Sequence, residues 1–264
     1  MTILDGEAMA LIGARAVTAA EGLRLPDGTI VETTPGTTLL RLEWPDGSLL
    51  DLGPGTRVML QPGALGRRQG AAPVCYLLSG WVKQRSGPTD PHRGHVSPQL
   101  DVLPAPGVVV AQVEPGTTWL FAESGGAAAV ERAGAAGRHA LPAGGSYLRK
   151  GALGSEVSPR PDPALLKTVP RGFRDTIGPR AARFEGKVVV PVDRPVPTYE
   201  ALAPWLTAEP ALRREFPRRF ATLARDVAFR SGLAARLPAH PEWDTVLYPQ
   251  LFVKPASTPY GVRR

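Results

Sequence analysis

The residues that could carry chemistry in this 264-residue chain are few and scattered. His92 and His95, beside Asp90 and Asp101, are the one grouping with the composition of a metal site, and two imidazoles at i and i+3 can chelate from one face of a helix. Pro91 and Pro98 place them in a loop instead, where histidines are expected to face solvent, so no metal site is assigned. Asp27 and Asp46 invite pairing as acid and base, yet each sits in a Pro-Asp-Gly tripeptide whose turn conformation already accounts for it. Cys75 lies in the apolar run 74–78 and reads as a packing residue, not a nucleophile. His139 and His240 are far apart and without an obvious partner. There is no Gly-x-Ser-x-Gly elbow, phosphate loop, dinucleotide fingerprint or paired-Cys motif. No catalytic residue, metal ligand or cofactor is therefore assigned from the sequence.

One chemistry is concentrated near the C-terminus. Arg213, Arg214, Arg218, Arg219, Arg225, Arg230 and Arg236 are set against Glu209, Glu215 and Asp226. Arginine presents planar, multidentate donors suited to phosphate or carboxylate. Arg213, Arg214, Arg218 and Arg219 are the candidate contacts to a polyanion or a partner, with an ordinary solvated face as the commoner reading of such a cluster. Trp205 and Trp243 are candidate aromatic contacts to sugar rings; filling the core of a small helical unit is the competing role.

The elements that position these residues begin with a tandem repeat of 19 residues. Pro26-Asp27-Gly28 and Pro35-Gly36-Thr37 recur as Pro45-Asp46-Gly47 and Pro54-Gly55-Thr56. Pro presets φ, Asp bonds its own backbone and Gly accepts positive φ, so each tripeptide marks a turn. The apolar segments between them, 29–33, 38–44, 48–52 and 57–60, have the length of strands. Further strands are expected over 74–82, 108–113, 117–123, 127–132 and 146–149. The Pro-rich stretch 84–106 reads as a long exposed loop. After a Pro-rich connection, 187–192 reads as a strand or extended arm. Thr198 then suits the N-cap of a helix through Trp205, and Pro210 the first residue of the next. Leu212, Phe216, Phe220, Leu223 and Val227 draw one apolar stripe down a helix that Pro217 should kink or divide. The expected division is a β domain over 1–155, a connection and arm over 156–197 and a small helical region over 198–264.

Composition agrees with a mainly β chain, since Gly and Pro each number 29 and punctuate apolar runs. No apolar run approaches the ~18 residues of a membrane span. The net charge of +7 favours polyanionic partners as a class. Nucleic acid is disfavoured, because the basic residues lack interleaved aromatics and no reading helix is evident.

In order, these pieces resemble a FecR-type domain, a periplasmic β module. The resemblance spans about 21–150 and rests on Pro26-Asp27-Gly28, Asp46-Gly47-Ser48 leading to Val58-Met59-Leu60, the run Tyr76-Leu77-Leu78-Ser79-Gly80-Trp81-Val82, the stretches 109–120 and 127–131, and Leu141-Pro142-Ala143-Gly144-Gly145. It implies a FecR-like β-sandwich or β-roll of short strands that binds or signals and has no active site. The family's signalling members also carry a helical segment that holds a sigma factor and a membrane span; neither is found in this sequence. The expectation is a non-enzymatic envelope protein, periplasmic or otherwise exported if a signal peptide has been removed, that engages a protein partner or an anionic cell-wall glycan. The alternative is an enzyme acting on an anionic glycan, with the 84–106 loop, the aromatics and the Arg surface forming its site.

Overall fold

The computed structural model describes residues 1–67, 72–88, 93–132 and 137–252. It divides into two compact units, Met1–Val196 and Pro197–Arg264. The first unit is mainly β. Its opening strands are β1 (Ile3–Asp5), β2 (Ala8–Ile12), β3 (Arg15–Thr18), β4 (Ile30–Thr33), β5 (Leu39–Glu43), β6 (Leu49–Leu52) and β7 (Arg57–Leu60). The four strands of the 19-residue repeat are thus β4 to β7, at the expected places. The 11-residue β8 (Cys75–Arg85) follows, then β9 (His95–Val96), β10 (Leu100–Pro104), β11 (Val108–Glu114), β12 (Thr117–Ser124) and β13 (Ala127–Glu131). The unit is completed by β14 (Arg138–Leu141), β15 (Ser146–Lys150), β16 (Ser155–Ser158) and β17 (Val192–Asp193).

The seventeen strands of the described residues join one hydrogen-bonded network that folds into two layers through β8. The first layer runs β1-β5-β6-β8-β11-β12-β15-β16. The second runs β17-β3-β2-β4-β7-β8-β9-β10-β13-β14. Among the described residues only the β8–β9 pair is parallel. The N-terminal half of β8 pairs with β7 and its C-terminal half with β6, with a register shift opposite Arg57–Val58 where it changes layer. Alternate residues from both layers, including Val31, Val58 and Leu77 from one and Leu50, Val82 and Leu120 from the other, meet in a single buried core. Cys75 is fully buried in that core, and burial pushes its thiol pKa up. It is inert packing.

The two copies of the repeat carry the chain between the layers in opposite directions. Pro35-Gly36-Thr37 carries the chain from β4 in the second layer to β5 in the first, and Pro54-Gly55-Thr56 carries it back from β6 to β7. At each crossing the threonine faces a glycine of positive φ on another segment. A Cβ on Gly6 would lie 2.6 Å from Thr37 Cα, and one on Gly80 2.5 Å from Thr56 Cα.

Two expectations change. The stretch 84–106 is not a long exposed loop, because Leu100 and Val102 alternate into the core on β10, which pairs with β13. Pro98 and Pro106 flank this strand and Pro104 ends it, while Pro91 lies outside the described residues. The connection 156–197 packs on the β layers as a strap. Helix α1 (Pro163–Thr168), capped by the Asp162 side chain accepting from Ala164 N–H at 2.7 Å, begins it. Leu165, Val169, Phe173 and Ile177, four residues apart, then cover Trp81, Val110 and Trp119 on the outer face of the first layer.

In the second unit, Thr198 caps α2 (Tyr199–Leu206) and Pro210 opens α3 (Pro210–Arg213), as expected. The apolar stripe is divided among short helices. The chain makes α4 (Phe216–Arg219), α5 (Val227–Ala235) and α6 (Asp244–Leu247) with short 3-10 turns between. Asp226 takes an extended backbone (ψ 133°) and its carboxylate caps α5, so the stripe stops at Leu223 and Val227 is 79 % exposed.

Candidate functional site

The candidate residues of the second unit are largely engaged in holding it together. Trp205 and Trp243 are fully buried, with Trp243 against Phe229. A ring without an exposed face cannot stack on a sugar, so the proposed glycan contacts are withdrawn. The four arginines do not form one face. Arg213 donates to Glu242 at 2.8 Å and to the Ala239 carbonyl at 2.9 Å, tying the tail back. Arg219 lies 5.0 Å over the Phe220 ring, and desolvation lowers its pKa to about 10 despite Glu215. Arg214 and Arg218 are exposed. His240 is buried against the Tyr199 hydroxyl, 2.9 Å from its Nε2.

His95 is not a solvent-facing loop residue. It is buried on β9, and its Nδ1 lies 2.9 Å from Gln84 Oε1 on β8, a polar link across the core. Asp101 is buried with Arg132 at 3.3 Å. His92 and Asp90 lie outside the described residues. Burial lowers the His95 pKa to about 4; protonation of the unfolded chain from about pH 6.5 downward therefore costs stability.

A dense polar cluster bridges the two layers, and the sequence did not single it out. Glu131 on β13 accepts hydrogen bonds from Tyr147 Oη (2.8 Å) and Arg149 (2.5 Å) on β15, Ser155 Oγ (2.8 Å) on β16 and His139 Nε2 (3.0 Å) on β14. Desolvation alone would raise the carboxyl pKa, but the four hydrogen bonds outweigh it and hold it at about 2. This carboxylate is a clamp between layers, with its lone pairs already engaged. Because the folded pKa is depressed, its contribution is present above about pH 4.5 and lost as pH falls toward 2. Glu131→Gln should cost about 2 kcal/mol at pH 7, and urea unfolding midpoints of variant and wild type should converge between pH 4.5 and 2.5. A pH-independent gap would show that the charge is not what matters.

Two features of the β unit remain available to a ligand or partner. One is a cleft of about 510 Å³ lined by Leu23, Leu25, Leu42, Trp44, Leu60 and Phe184 among others. The other is the stretch 188–192. Val189 packs beside Ala10, Val17 and Leu23, while Val188, Val190 and Val192 are 89, 75 and 67 % exposed.

No family model matches the chain, and no curated protein matches it. Among solved structures, two crystal structures from Parabacteroides distasonis ATCC 8503, provisionally described as an anti-sigma factor, align with 11 % identity and TM-scores of 0.38 and 0.37. Each alignment covers 50 % of this chain and 59 % of the other, so the chain spans less than two thirds of the structures it resembles. The likeness is too loose to transfer a fold, an activity or a partner. The chain is a mainly β unit of two layers sharing one strand, followed by a small helical unit.

Proposed function

We propose that this chain is a non-enzymatic, FecR-like binding module of the bacterial envelope whose ligand is a protein. The observation that supports the reading is the valine face of the arm. Three side chains at alternate positions stand in solvent on an extended segment at the margin of the second layer, and soluble chains seldom display such a row without a partner. Extension of the sheet is the poorer mode of recognition. Arg194 N–H donates to Ala16 C=O, so Asp193 and Pro191 turn their backbone outward, and Pro191 has no N–H to offer. Recognition falls to the apolar side chains. An anionic cell-wall polymer is the weaker reading, because Arg213 and Arg219 are engaged within the helical unit.

Val188→Asp/Val190→Asp should leave stability within about 0.5 kcal/mol, since both side chains are exposed. A photo-crosslinking residue at 190, in the exported protein, should yield one discrete protein adduct that the double variant, carrying the same crosslinker at 192, no longer forms. Co-sedimentation with cell-wall sacculi should be unaffected by the valine changes. Absence of any adduct, or fractionation of the native protein with cytosol, would sink the proposal; an adduct of twice the chain mass would replace the partner by a second copy.

A further inference from the structure

A third feature of the β unit, separate from the cleft and the arm, is the free edge of the first layer. Among the described residues β16 pairs only with β15. Lys150 N–H donates to Gly154 C=O at 3.2 Å, so Lys150–Gly154, Leu148–Glu156 and Ser146–Ser158 are the hydrogen-bonded pairs of this ladder. Ser155 and Val157 therefore turn their N–H and C=O groups outward, and no described residue meets them. The edge lies bare, with Ser155 and Glu156 exposed and Val157 45 % exposed. It is also held in place, since Ser155 Oγ is tied to Glu131 of the other layer. The opposite edge of the same layer is guarded, because Leu4 N–H on β1 donates to the Glu21 carboxylate at 3.1 Å.

The outer face of the bare edge favours particular side chains. Leu148, Gly154 and Glu156 share that face, beside a hollow of about 300 Å³ that Lys150 and the 90 % exposed Leu153 also line. A Cβ built on Gly154 meets nothing within 4 Å, and an edge glycine of this kind is stabilised by an aromatic ring on the neighbouring strand. Glu156 makes no ion pair among the described residues. A cation directly opposite it on an added strand would be its nearest countercharge, because Lys150 stands one pair away, opposite Gly154.

We infer that β16 is a docking edge for an extended segment of another protein, added antiparallel, with a cation opposite Glu156 and an aromatic ring over Gly154. Main-chain hydrogen bonds to Ser155 and Val157 supply the affinity and the two outer side chains the selectivity. A second copy is the poorer occupant. Pairing Ser155 with Val157 about a dyad sets the two Glu156 carboxylates face to face. Sliding that pairing either way brings in Pro159, which has no N–H, or the turn Gly151–Leu153.

The probe is acetyl-Thr-Val-Lys-Thr-Phe-Thr-amide, in which Val and the Thr before Phe face Val157 and Ser155. It would be titrated into the full chain, following heat and amide hydrogen exchange. The expected result is saturable binding with a Kd of about 1 mM or tighter and new protection of the Ser155 and Val157 amides. N-methylation of the Val and that Thr should abolish binding, whereas N-methylation of Lys and Phe, whose N–H groups point away, should not. Val157→Pro removes only an outward N–H, so it should weaken the peptide by about tenfold and leave the unfolding midpoint nearly unchanged. Glu156→Lys should weaken it by about threefold, and a peptide with Glu in place of Lys should regain the loss. No saturable binding, equal tolerance of both methylation patterns, or protection of Ala140 on β14 in place of Ser155 and Val157 would overturn the assignment. So would dimerisation of the free chain that Val157→Pro abolishes.

Discussion

Gly80→Ala is expected to destabilise the first unit by about 3 kcal/mol or more, a large value for one methyl group. Two effects add. Gly80 has a φ of +92°, which a Cβ penalises by about 1–2 kcal/mol. The new Cβ would also lie 2.5 Å from Thr56 Cα, 2.6 Å from Thr56 Oγ1 and 2.9 Å from the Gly55 carbonyl. None of these can give way cheaply, since Thr56 is fully buried and its Oγ1 accepts the Trp81 N–H at 2.9 Å. Crowding of this kind typically costs a further 1–3 kcal/mol. Gly55 provides the control, having a φ of +58° with nothing within 4 Å of a built Cβ. Gly55→Ala should show the conformational cost alone, about 1 kcal/mol. Urea unfolding of the two variants separates the effects, and equal losses at both positions would refute the close approach between β8 and the β6–β7 crossing.

Arg41→Ala should cost about 3–5 kcal/mol, because it strands a buried carboxylate. Arg41 and Asp51 are direct cross-strand neighbours on the outer face of the first layer, with side chains 3 and 6 % exposed. The guanidinium grips Asp51 at 2.6 and 2.7 Å and also donates to the Ile177 carbonyl at 2.6 Å. It therefore fixes the strap as well as the sheet. Lys83 adds a second fastening, donating to the Phe173 carbonyl at 2.7 Å. In the variant, limited proteolysis should reach 170–178 before any other part of the β unit. Replacing both partners, as Arg41→Leu/Asp51→Leu, should restore most of the lost stability, since two apolar groups leave no unpaired charge. If the double variant were less stable than Arg41→Ala, the pair would be contributing more than it costs to desolvate, and the assigned cause would be wrong.

Much of the β unit was legible because its signals are local. A Pro-Asp-Gly turn is decided by the φ preferences of three adjacent residues, and both copies stand where the tripeptides place them. The strands at 108–114, 117–124 and 127–131 follow from short apolar runs bounded by such turns. The stretch 84–106 was misread because its prolines are equally local, whereas the pull of Leu100 and Val102 into the core depends on β13, about thirty residues away. The candidate sites suffered in the same way. Arg213 reads as a free cation until Glu242 is brought beside it, and the choice between packing and sugar stacking for Trp205 and Trp243 is made only where the helices close over them.

By itself, then, the sequence determined a mainly β chain with a 19-residue repeat and a short helical end, through turn chemistry and apolar spacing that neighbouring residues decide among themselves. The tertiary structure alone decided which side chains remain available. It engaged Glu131, His95, Arg41 and Arg213 with partners ten or more residues distant, and it left Trp44, Arg24 and the arm valines open to a cleft or to solvent. The physical reason is that a turn is a property of consecutive dihedral angles, whereas burial and pairing are set by residues that meet only after the layers have closed.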